Sequence, residues 1–148
     1  MSGSDIFGIV GSALTAQNMR MGAIASNLAN VDSITKPGQQ PYRAHELVFA
    51  SAAAASGEYD GGASQNGNSA DMGVRVLGTV QSNAPVVQKY DPGSPYANAK
   101  GYVTGTNVSQ VDEMVNLIDS SNTYAASVAV LQQTSRIDQQ MISSFQVA

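Results

Sequence analysis

The sequence predicts a mainly α fold with a small β-rich insertion, its long N- and C-terminal helices paired as an antiparallel coiled coil. Three observations carry this. Each end of the chain holds an apolar repeat with alternating spacings of three and four, the signature of a helix that packs along a seam. The middle breaks into short period-two stretches between Gly, Pro and Asn clusters. Two amphipathic helices at opposite ends of one chain can bury their seams on each other once the middle turns the chain back.

The N-terminal seam is Phe7, Val10, Leu14, Gln17, Met21, Ile24, Leu28 and Val31, apolar except for Gln17. That spacing points to a left-handed supercoil. Ser2 with Asp5 resembles a capping pair, Asn30 is a candidate helix end in the left-handed conformation, and Ser33 to Gly38 carries the Pro-Gly break. A helix from about Asp5 to about Asn30 is about 40 Å long.

The C-terminal seam is Met114, Leu117, Ser121, Tyr124, Val128, Leu131, Ser135, Asp138, Ile142 and Phe145. Asn107 is the expected N-cap, with Gln110 three residues on, and Asp112 and Glu113 suit the positive end of the helix dipole. No Pro or Gly interrupts Val108 to Ala148, so this helix can run about 60 Å. Val115, Ile118, Ala125, Ala126, Ala129 and Val130 widen its apolar stripe beyond one seam. Two helices alone leave that stripe exposed, and the middle offers no third long helix, which favours assembly with neighbouring subunits over a closed monomeric bundle.

Three segments follow: an N-terminal core helix over 1–34, a β and loop segment over 35–106, and a C-terminal core helix over 107–148. Within the middle, Tyr42 to Phe49, Val74 to Val80, Val86 to Tyr90 and Gly101 to Val103 are strand candidates, and Asp91-Pro92-Gly93-Ser94-Pro95 is a turn. Residues from about 50 to 71 are nearly all Ala, Ser, Gly, Asn and Gln, the composition of a mobile loop.

Composition narrows the function. Charged residues make up 12% of the 148, about half the ordinary share. A surface so poor in charge repels its neighbours little. The net charge of −4 and the scattered Lys and Arg leave no basic stripe for nucleic acid. Without cysteine there is no disulfide, thiolate metal site or Cys nucleophile. No apolar run reaches a membrane span, and Met1 to Val10 lacks the basic start of a secretory signal peptide. His45 is the single histidine and makes neither a metal site nor a triad by itself. Asp112 and Glu113 are adjacent on a helix start and point about 100° apart, so the dipole accounts for them better than acid–base chemistry does. No phosphate-binding loop or calcium loop is present. The expectation is a non-enzymatic chain with no catalytic residues, metal or cofactor.

Ser12-Ala13-Leu14-Thr15-Ala16-Gln17, followed by Ala25-Ser26-Asn27-Leu28-Ala29-Asn30, resembles the N-terminal signature of the flagellar rod and hook proteins. The insertion Lys36-Pro37-Gly38-Gln39-Gln40-Pro41 before Tyr42-Arg43 is similar to one proximal-rod subfamily. So are Tyr90 to Pro95, Gly101-Tyr102-Val103, and Asn107-Val108 with Glu113-Met114-Val115 and Tyr124. The chain departs from that pattern at Thr106, where a Pro is usual, and at Ser121-Asn122-Thr123, where an Arg is common. These departures bear on charged contacts with neighbours.

The resemblance implies a structural subunit of the periplasmic rod of the basal body. It implies export through the flagellar type III apparatus without cleavage, and terminal helices extended in an axial polymer that transmits torque. Its implied partners are other rod proteins (FlgB, FlgF and FlgG) and copies of itself, with no nucleic acid and no direct membrane insertion. The family motif falls on Asn27, Leu28, Ala29, Asn30, Tyr42 and Arg43. The apolar seam residues would be the assembly seam. Another rod subunit, FlgB- or FlgF-like, a secreted coiled-coil adaptor, and a cell-wall hydrolase are the competing readings.

Overall fold

The computed structural model describes residues 3–52 and 73–146. Ser2 and most of the low-complexity stretch at about 50–71 lie outside these residues. Helix α1 spans Gly3–Ala29, strand β1 His45–Ser51, β2 Val74–Gln81, β3 Gln88–Tyr90, β4 Tyr102–Thr104, and helix α2 Gln110–Gln146. Among the described residues the fold is mainly α with two small two-stranded sheets, β1–β2 and β3–β4.

The chain separates into two compact units. One comprises 20–47 and 79–120; the described residues of the other are 3–19, 48–52, 73–78 and 121–146. Both helices and the strands β1 and β2 contribute to each unit.

In the first of these units α1 ends on its own side chains. Asn30 Nδ2 donates to the Ser26 carbonyl at 2.8 Å, and Ser33 Oγ donates to Asn30 Oδ1 at 3.2 Å. The expected Asn30 end is therefore achieved by capping a free carbonyl of the last turn. Lys36-Pro37-Gly38-Gln39 then makes a tight turn, with Gln39 N–H on the Lys36 carbonyl at 3.1 Å and Gly38 at φ 86°. Pro followed by a positive-φ Gly is the type II pattern.

The β3–β4 pair is antiparallel, with Gln88, Lys89 and Tyr90 opposite Thr104, Val103 and Tyr102. Val103 is nearly fully buried. The Tyr90 and Tyr102 rings meet edge-on at 5.2 Å. The connection between the strands closes on Asn98, whose Oδ1 accepts from the backbone N–H of Lys100 and Tyr102 at 2.9 and 3.0 Å. Gly101 has φ 79°, and a Cβ there would sit 2.9 Å from the Tyr90 ring. Thr35 N–H donates to the Thr104 carbonyl at 2.9 Å, which ties the segment after α1 to this sheet. Thr106 is 4% exposed; its Oγ1 donates to the Val31 carbonyl at 3.0 Å and accepts from Val108 N–H at 3.3 Å.

Helix α2 starts two residues later than its expected cap. Ser109 Oγ accepts from Asp112 N–H at 3.4 Å, so Ser109 caps it. Asn107 is committed elsewhere: its Oδ1 accepts from Ala44 N–H at 2.7 Å, and its Nδ2 donates to the Ser82 and Ala84 carbonyls at 3.2 and 3.1 Å. Arg43 Nη1 reaches the same two carbonyls at 3.0 and 3.2 Å. Ser82 N–H closes the β1–β2 ladder on the Ala44 carbonyl at 2.8 Å.

In the other unit, the ladder closes at its far end through Ala52 N–H on the Gly73 carbonyl at 3.0 Å. Ser12 Oγ on α1 accepts from Val74 N–H at 3.1 Å, anchoring β2 to the helix. Val10 and Ala16 are buried here.

Candidate functional site

The tightest polar cluster surrounds Asn27, which is 2% exposed although it belongs to a helix. Its Oδ1 accepts from His45 N–H at 2.8 Å and from Tyr42 Oη at 3.0 Å. Its Nδ2 donates to the His45 carbonyl and to Glu113 Oε1, both at 3.0 Å. Both donors and both lone-pair directions of the amide are thus used. Tyr42 Oη is also within 3.0 Å of His45 Nδ1 and 3.2 Å of Ser26 Oγ, and the Tyr42 and His45 rings meet edge-on at 5.2 Å. One side chain therefore joins the end of α1, the start of β1 and the first turn of α2. Removing water from Glu113 pushes its carboxyl above the ordinary glutamate range. The Asn27 bond opposes this shift, and the nearby charges of Glu46 and Asp112 add to it. About two turns further along, Arg20 and Asp119 pair at 3.3 Å near the surface, worth ~0–1 kcal/mol.

The residues of the family motif occupy this region. Asn27 and Tyr42 are bonded to each other, Asn30 ends α1, Arg43 holds the Ser82–Ala84 turn, Leu28 is half-buried and Ala29 is exposed. Sequence reading did not foresee that His45 and Glu113 complete the cluster. Their signal was the pairing of buried-capable polar types near apolar positions, which periodicity does not score.

The seam residues are placed as follows. On α1, Val10 and Ile24 are buried, and Phe7, Leu14, Met21, Leu28 and, just past it, Val31 are half-buried. On α2, Leu117, Val128 and Leu131 are half-buried, Met114, Tyr124 and Ile142 are exposed, and the side chain of Phe145 lies outside those described. Phe7 and Leu131 line one shallow groove together. Burial along α2 also takes in polar positions: Glu113, Ser120, Ser127, Thr134, Ser135 and Asp138.

The opposite face of α2 is apolar and open. Val111 is 70% exposed, Val115 60% and Ile118 62%; in the other unit the α2 residues Val130, Ile137 and Met141 are about half exposed. On α1 the exposed side has small residues at Gly8, Thr15, Gly22, Ala25 and Ala29, and a Cβ added at Gly8 or Gly22 would touch nothing within 4 Å. Interior helix glycines cost ~1 kcal/mol each, and packing among the described residues does not explain Gly8 and Gly22.

Among the described residues, no group of three or more His, Cys, Asp or Glu is placed to hold a metal ion. No described helix is long and apolar enough to cross a membrane.

Known proteins match this chain over most of its length. A family model described as the flagellar basal body rod FlgEFG protein C-terminal region matches residues 99–144. The flagellar basal-body rod protein FlgC of Escherichia coli O6:H1 is 47% identical over 86% of both chains. FlgC of Salmonella typhimurium is 46% identical over 86% of both, and FlgC of Borreliella burgdorferi 34% over 83% of this chain and 84% of its own. With relatives 46–47% identical over 86% of both chains, the chain belongs to the FlgC family of flagellar basal-body rod proteins.

Proposed function

We propose that this chain is a non-enzymatic building block of the proximal rod, that it assembles through its terminal helices, and that the assembled rod transmits torque from motor to hook. The observation that carries the assembly step is the open apolar face of α2. Val111, Val115 and Ile118 are each at least 60% exposed, and Val130, Ile137 and Met141 add exposed apolar surface elsewhere on the helix. Covering a Val- or Ile-sized side chain contributes ~1.5–3 kcal/mol, so several per subunit offset the ordering cost of long helices. The small residues on the open side of α1 let a neighbouring helix approach closely.

An antiparallel pairing of α1 and α2 underlies this reading. Within one unit, Asn27 meets Glu113 and Arg20 meets Asp119, so one index falls as the other rises. Within the other, Phe7 shares a groove with Leu131, while Ala16 shares one with Thr123 and Ser127. The seam named from the sequence serves partly inside this pair and partly between subunits. The three-part division into core helix, middle segment and core helix fits this use: the ends build the tube and 35–106 decorates it. Partners are copies of the chain and other rod proteins such as FlgB, FlgF and FlgG, reached after type III export.

Deleting the gene in its own host and restoring it from a plasmid tests the reading. The expected result is loss of swimming and of rods in isolated basal bodies, with both restored by the plasmid. Intact rods in the deletion strain would overturn it.

A further inference from the structure

Glu113 stands at a place where a charge is poorly supported. It is 9% exposed, and the polar partner given to its Oε1 is a neutral amide, Asn27 Nδ2 at 3.0 Å. The charged groups that bear on it are Glu46 from β1 and Asp112 on α2 itself, both acidic. Lys89 and Lys100 of the same unit lie on β3 and in the β3–β4 connection, and its other Lys and Arg groups are engaged elsewhere. Arg20 of α1 pairs with Asp119, Arg43 holds the Ser82 and Ala84 carbonyls, and Lys36 lies over the Tyr96 ring. His45 belongs to the cluster through Tyr42 and through its own backbone bonds to Asn27.

We propose that Glu113 is a proton-operated latch that fastens the first turn of α2 to the end of α1 and the start of β1, closed when the carboxyl is neutral and loosened when it is charged. A protonated Glu113 keeps Oε1 as an acceptor for Asn27 and removes the repulsion from Glu46 and Asp112. A charged Glu113 gains by lifting its turn toward water, which releases Asn27 Nδ2 and weakens the grip on His45. Folding makes this carboxyl harder to ionise, so its contribution to stability is fully present below the pKa of an exposed glutamate. It is lost as pH rises through the raised value. This inference concerns the isolated chain and does not rest on rod assembly.

The test is native-state amide exchange on the full chain and on Glu113→Gln, corrected for intrinsic rates, from about pH 5 to about pH 7.5. Two amides report the latch: His45 N–H on Asn27 Oδ1 and Glu113 N–H on the Ser109 carbonyl. In the native chain their protection should fall roughly threefold or more across that range. In Glu113→Gln it should stay at the low-pH level. Equal pH slopes in both proteins would assign the effect to another group and overturn the proposal. Should the variant not fold, the carboxyl carbon of Glu113 can be titrated by NMR in the native chain. A midpoint above the ordinary glutamate range, coincident with the change in protection, supports the latch; an ordinary or lower midpoint rejects it.

Discussion

Replacing Asn27 by alanine removes four hydrogen bonds of 2.8 to 3.0 Å from a side chain that is 2% exposed. Each is worth ~0.5–1.5 kcal/mol net, so the expected loss is about 4 kcal/mol. Tyr42 keeps its contacts with His45 and Ser26, which trims the figure toward about 3 kcal/mol. With ~1–3 kcal/mol per molar urea, the unfolding midpoint followed by circular dichroism should drop by about 1–3 M. Asn27→Asp separates hydrogen bonding from shape. It keeps the size but puts an acceptor where Nδ2 donated, 3.0 Å from Glu113 Oε1. It should cost at least as much as alanine near neutral pH and recover in mild acid, where the two carboxyls can share a proton. A loss below about 1 kcal/mol for both variants would refute the central role given to this amide.

Three further outcomes follow from other parts of the fold. Gly101→Ala should cost about 1–2 kcal/mol by urea titration, through its positive φ and the 2.9 Å approach to Tyr90, and should weaken the near-ultraviolet tyrosine signal. Thr106→Val, nearly isosteric, should cost about 1–3 kcal/mol, because the Val31 carbonyl and the Val108 N–H lose a partner in a buried place. Replacing residues 56–69 by a short Gly-Ser linker should leave rods visible in isolated basal bodies; complete loss of rods with the variant still exported would show that the low-complexity stretch carries assembly energy.

Much of the architecture is written in local signals. Both helices lie close to where the heptads put them, and the Val74 strand starts at the expected residue. The Pro37-Gly38 turn and the Asn30 helix end follow from conformational preferences that act within a few residues. Long-range choices were harder to read. Asn107 has the chemistry of an N-cap, yet its amide is drawn to Ala44, Ser82 and Ala84, and Ser109 takes the cap instead. Spacing alone cannot decide between these, because each option satisfies one side-chain amide or hydroxyl. Periodicity finds an apolar stripe on α2 but cannot say which face meets α1. A polar residue such as Glu113 or Ser120 counts against a seam in the template, although each is buried here. The Asn27 cluster joins residues up to 86 positions apart, beyond the reach of any local pattern.

The claim that assembly energy lies on the open face of α2 is tested most directly by Ile118→Asp, read twice on the same variant. Ile118 is 62% exposed, so the isolated chain should keep its urea midpoint, within about 0.5 kcal/mol of the native protein. In the cell, a carboxylate on a face that neighbours must cover would be desolvated without a partner, and rods should be absent from basal bodies although the variant is exported. Unchanged stability with lost rods is the predicted result. Normal rods and normal swimming would contradict the account.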